Sequence, residues 1–97
     1  MSAKTYRLVL HHEAAREIKK LPKKIRSQVR DILDGLAEDP RPPAAVALKG
    51  RKGAYRIRVA DYRVLYEVHA TEIVVYVIGV ARRREVYLRL LRRRAGR

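Results

Sequence analysis

The sequence contains no cysteine, phenylalanine or tryptophan, and only one methionine. The lack of cysteine excludes disulfide scaffolding and thiolate metal sites, and it makes a reducing interior, the cytoplasm, the expected compartment. The lack of Phe and Trp leaves the core to Leu, Ile, Val and six tyrosines. Long apolar runs are missing too. The longest, "IVVYVIGVA" from Ile73 to Ala81, has about half the roughly 20 residues that a membrane-spanning helix needs, so no membrane association is expected. The N-terminus shows no signal-peptide apolar region.

Acidic side chains are the remaining scarcity. Against 10 Asp and Glu stand 24 Lys and Arg, a net charge of +14. The imbalance is uneven: residues 1–48 hold ten basic and six acidic groups, whereas residues 49–97 hold fourteen and four. A solubilising surface does not explain that asymmetry; a polyanion bound by the second half does. Seventeen of the cations are arginine, whose fixed fork of donors suits phosphate better than a diffuse lysine cloud. With 47% hydrophobic and 35% charged residues, the 97-residue chain has material for one core and a solvated exterior, so a single domain over residues 1–97 is expected.

Thr5 to Leu10, "TYRLVL", alternates with Tyr6, Leu8 and Leu10 on one face, the period of a half-buried strand. From Glu13 the spacing of Ala14, Ile18 and Leu21 turns helical, and Pro22 ends that helix or opens the next. In "KKIRSQVRDILDGLAEDP", Ile25, Val29, Ile32, Leu33 and Leu36 fall on one stripe and predict an amphipathic helix that "DPRPP" stops. A proline-rich connector runs to Gly50 and Gly53. Three strand-like runs follow, "AYRIRVA", "YRVLYEVH" and "EIVVYVIGVA". Short gaps at Ala60-Asp61 and Ala70-Thr71 predict hairpins, and the third run, apolar on both faces, reads as a central strand. The tail "REVYLRLLRRR" from Arg84 reads as a short helix with Val86 and Leu90 inward. The expected fold class is α+β: a small antiparallel sheet in the order strand, helix, helix, three strands, short C-terminal helix, with two helices packed on one face.

Alternation also sorts the side chains of the middle strands. Tyr55, Ile57 and Val59 point one way, Arg56 and Arg58 the other; Tyr62, Val64, Tyr66 and Val68 oppose Arg63, Leu65, Glu67 and His69. With the apolar sets against the helices, Arg56, Arg58 and Arg63 converge on the opposite face. The run Ala81 to Arg84, "ARRR", enters from the end of the last strand. A focused cluster of guanidiniums is what a phosphodiester requires when its charge grows during reaction.

The stretches "YRLVLHHEAAREIKKLP", "LKGRKGAYRIRVADYRVLYEV" and "VIGVARRREVY" together resemble the RelE/ParE superfamily of toxins from bacterial and archaeal toxin-antitoxin pairs, and within it the RelE branch. The likeness runs almost the full chain. It implies a RelE-like fold and a small cytoplasmic endoribonuclease that enters the ribosomal A site and cuts messenger RNA without metal or other cofactor. In such enzymes the 2'-hydroxyl attacks the adjacent phosphate, leaving a 2',3'-cyclic phosphate and a 5'-hydroxyl. The resemblance puts the family's catalytic cations at Arg56, Arg58, Arg63 and Arg83, with Arg82 or Arg84 as alternatives to Arg83, and its catalytic tyrosine at Tyr87. Arg63 and Arg83 would hold the scissile phosphate, Arg56 and Arg58 the neighbouring backbone, while Tyr87 would stack on a base or help move a proton. Arg51, Lys52, Arg82 and Arg84 are further RNA-binding candidates. One departure matters: the family's lysines stand here as Arg56 and Arg58, and a guanidinium, unlike a lysine of lowered pKa, cannot serve as a base.

The implied partners are a cognate, acidic antitoxin, the ribosome with its message, and operator DNA only through the antitoxin complex. His11 and His12 are adjacent and would diverge on an extended chain; with His69 at a strand end, none has the spacing of a metal pair. Glu85 reads as an ion-pair partner that orients Arg84. Two other functions remain open: a ParE-type inhibitor of DNA gyrase without nuclease activity, and a noncatalytic binder of nucleic acid.

Overall fold

The structure, a computed structural model, describes residues 5–93, so both ends of the domain expected over residues 1–97 lie outside the described residues. The order is β1 (Arg7–Leu10), α1 (His12–Lys19), α2 (Lys23–Glu38), β2 (Val46–Ala47), β3 (Ala54–Val59), β4 (Tyr62–His69), β5 (Val74–Ala81) and α3 (Val86–Leu90). One five-stranded sheet has the spatial order β1-β5-β4-β3-β2. The expected α+β arrangement is borne out, with one correction to the sheet. β3, β4 and β5 form the antiparallel meander, but β1 pairs parallel to β5, Leu8 opposite Val75 and Leu10 opposite Val77. Parallel neighbours need a long crossover; here α1 and α2 carry the chain across one face to β2 at the far edge, and the meander walks back to β1.

The apolar stripe of α2 buries Val29, Leu33 and Leu36, and α1 buries Ala14 and Ile18. They pack on Ile57, Val59, Val64, Tyr66, Val75, Val77 and Val80, the larger of two cores. The smaller core, on the other face, gathers Leu65, Tyr76, Ile78 and Ala81 around Leu90 of α3. The face expected to stay open is thus partly closed by the C-terminal helix. β5, flanked by β1 and β4, contributes to both cores, as its continuous apolar run requires.

Of the two expected hairpins, the first forms as its sequence suggests. Val59 pairs with Tyr62 across a two-residue loop in which Ala60 takes φ 54°, the positive value such loops demand. The second hairpin is longer than its sequence suggests: β4 ends at His69 and β5 begins at Val74, with Ile73 at φ 57°. The chain does not stay extended through His11 and His12, because α1 begins at His12. His11 is the N-cap of α1, its Nδ1 accepting from the Glu13 amide at 3.1 Å, and the two imidazoles stack at 4.4 Å. Among the described residues no helix is long and apolar enough to cross a membrane.

Candidate active site

The sheet face that carries the smaller core ends in a cationic cleft. Arg56 of β3 lies opposite Leu65 of β4, and Arg63 of β4 opposite Ala81 of β5, so pairing alone sets both arginines beside the exit of β5. The chain leaves β5 through a turn at residues 82–85, and α3 brings Tyr87 back toward the same place. Arg56, Arg63, Arg82, Arg84 and Tyr87 together line a pocket of about 190 Å³. Four arginines line one small volume, and among the described residues no carboxylate lines it. Their mutual repulsion would fall if an anion entered, so the arrangement suits a group of phosphate-like charge.

Several contacts hold these arginines in place. Arg63 donates to the Asp61 carbonyl at 3.4 Å, within the β3–β4 turn. Arg82 lies 5.5 Å over the Tyr62 ring and 4.0 Å from the Asp61 carboxylate. The aromatic face and the carboxylate are both solvent-facing restraints, worth modest energies. Tyr87 is half-buried, packed against the smaller core, with Val86 and Leu91 beside it.

The structure does not bring every sequence candidate to the pocket. Arg58 shares a face with Arg63, its cross-strand partner, but its Nε donates to the Ala60 carbonyl at 3.0 Å and its side chain lines an apolar groove with Ile32, Leu36 and Ala44. Arg83 is exposed between two lining neighbours and does not line the pocket itself; its carbonyl accepts from Val86 at 3.1 Å. Arg51 is drawn away to Glu67 and to the Leu91 carbonyl. Lys52 is exposed in the turn before β3. Glu85 makes no ion pair among the described residues. The orienting carboxylates are Glu67 and Glu17, the latter bridging α1 to Arg93 at 2.8 Å. Nothing local in the sequence marks these two for their arginines, which are distant along the chain. Among the described residues no group of three or more His, Asp or Glu side chains comes together as a metal site.

Comparison with known proteins bears on this geometry. Residues 8–87 match the family model described as ParE toxin of type II toxin-antitoxin system, parDE. The chain is 34% identical to the mRNA interferase toxin RelE of Escherichia coli K12 over 92 residues, 91% of this chain and 96% of the relative. A mutant of E. coli toxin RelE in the free state superposes with a TM-score of 0.77 at 32% identity, covering 91% of this chain and 96% of that one. RelE in the intact E. coli RelBE toxin-antitoxin complex gives 0.72 at 32% identity, covering 80% and 96%. By sequence along most of its length and by its fold, the chain belongs to the RelE/ParE superfamily of type II toxin-antitoxin toxins, with RelE proteins among its relatives.

Proposed function

We propose that this toxin is an endoribonuclease that cuts messenger RNA in the ribosomal A site. The carrying observation is the convergence of Arg56, Arg63, Arg82 and Arg84 with Tyr87 around a pocket that, among the described residues, no carboxylate lines. In the reaction the 2'-oxygen bonds to phosphorus as the bond from phosphorus to the 5'-oxygen breaks, and negative charge builds on the phosphoryl oxygens. Donors already in place stabilise that charge more than the ground state. The proton of the 2'-hydroxyl must leave and the 5'-oxygen must gain one. Guanidinium groups cannot accept a proton at working pH, whereas a phenol both donates and accepts hydrogen bonds, so Tyr87 is the pocket residue assigned to proton movement or to stacking on a base. Resemblance assigns the phosphate to Arg63 and Arg83; the pocket favours Arg82 and Arg84 over Arg83, and leaves Arg58 an outer backbone contact.

The E. coli relative's name, mRNA interferase, supports this reading. The matching family model is described as a ParE toxin, and the second reading is the ParE-type action on DNA gyrase that the resemblance leaves open. Translation extract primed with a defined message separates them. Ribosome-dependent cuts that disappear in Arg63→Ala and Tyr87→Ala carry the nuclease reading; intact message together with inhibited gyrase overturns it. A cytoplasmic antitoxin partner is proposed as well, by analogy with the RelBE complex. An acidic helix covering the cleft would neutralise part of the +14 charge. Operator binding by the pair, through the antitoxin, is the expected regulatory role.

A further inference from the structure

α3 is only five residues, Val86–Leu90, too short to be stable by itself. Leu90 is its one fully buried side chain, while Leu88 stays 73% exposed. Yet the helix carries Tyr87, and two contacts grip the chain just beyond it. The first is a clasp on β5. Between the pairs Leu65–Gly79 and Tyr66–Val77, Ile78 has no opposite residue on β4, so the strand bulges and its hydrogen-bond groups turn out of the ladder. Arg93 donates to the Ile78 carbonyl at 3.0 Å, and the Val80 amide donates to Glu17 Oε1 at 3.0 Å. Arg93 and Glu17 then pair with each other through both oxygens, at 3.2 and 2.8 Å. β1 has already ended at Leu10, opposite Val77, so this side-chain pair continues the sheet where its neighbour strand stops. The second contact is Arg51, which joins Glu67 of β4 to the Leu91 carbonyl at the end of α3.

The clasp has a seat of its own. A Cβ on Gly79 would lie 2.6 Å from Arg93 Nη1, 2.9 Å from Glu17 Oε1 and 3.1 Å from Leu90 Cδ2. Glycine in a strand interior is unfavourable unless something must approach the backbone. Here the guanidinium and the carboxylate do.

We propose that Glu17, Arg93 and Gly79, with Arg51 and Glu67, are positioning residues that set the place of Tyr87 from the far end of α3. The inference rests on the reading of Tyr87 as part of the site. Glu17→Gln keeps an oxygen for the Val80 amide but removes the charge, and Gly79→Ala blocks the seat without touching any charge. In both variants amide exchange at residues 86–91 should quicken at least tenfold while exchange in β4 stays unchanged. Cleavage of ribosome-bound message should fall in kcat about ten- to a hundredfold with KM unchanged, the scale of a misplaced catalytic group. Neither change should cost anything further in a Tyr87→Ala background. Unaltered exchange in both variants overturns the proposal. So does faster exchange with full cleavage, or an equal loss when Tyr87 is already Ala. If the unaltered toxin leaves message uncut, the functional reading has failed by itself, and exchange alone decides whether the clasp holds α3.

Discussion

Arg56, Arg63, Arg82 and Arg84 differ from Arg58 and Arg83 in reaching the pocket beside Tyr87, and that difference is measurable. Removing one preorganised donor from a developing oxyanion costs about 10²- to 10³-fold in kcat. Alanine at any of the four lining arginines should cost about that much on ribosome-bound message, whereas alanine at Arg58 or Arg83 should cost under about tenfold. Single-turnover cleavage by the six variants checks it. Arg56 and Arg63 were legible as cleft residues because strand alternation assigns their face. The choice among Arg82, Arg83 and Arg84 was not, because a turn has no period. His11 offers a separate test. Burial, the largest cause, and the neighbouring His12 and Arg93 hold its pKa below the usual 6.5, against the opposing pull of Glu13 and Glu17, with Tyr76 edge-on to the ring. The unfolded chain therefore takes up a proton that the folded one refuses. Stability from this group is complete above the unfolded value of 6.5 and is lost as pH falls below it toward the lowered folded value. Denaturation midpoints should show His11→Asn, which keeps a capping oxygen, losing part of that slope between about pH 7 and pH 5.

At the scale of elements, Tyr66 ties the sheet to the connector after α2. Its ring is fully buried, 5.7 Å from the Tyr55 ring, and its hydroxyl donates to the Pro40 carbonyl at 2.8 Å. Tyr66→Phe strands that acceptor, and a buried unsatisfied group costs about 1–3 kcal/mol. Thermal unfolding should shift downward by about 4–8 °C per kcal/mol lost. The elements with strong periodicity, α2, β3 and β4, were readable from the spacing around Val29, Leu33, Ile57 and Val64, and β5 from its continuous apolar run. β2 was not, since two exposed residues, Val46 and Ala47, carry no pattern and form a strand only because β3 offers an edge. The parallel β1–β5 pairing and the bulge at Ile78 were likewise hidden: each depends on a partner strand, and neither leaves a mark in local spacing.

For the whole molecule, the uneven charge predicts how RNA binding responds to salt. If the four pocket arginines each neutralise one phosphate, binding to single-stranded RNA should fall with a log–log salt slope of about −3, and Arg63→Ala should flatten it by about 0.7. Filter binding over a range of salt concentrations measures both. The direction of the second half's charge was plain from the counts, because summed charge survives any folding; the place where it concentrates needed the sheet. The pairing of residues 7–10 with residues 74–77 has a consequence in time as well as in space. A chain emerging from its N-terminus carries its first strand unmatched until β5 is out, and residues 82–87 follow later still. A poison assembled in this order acquires its working shape only after about seventy further residues have followed its first strand out of the machinery that makes it.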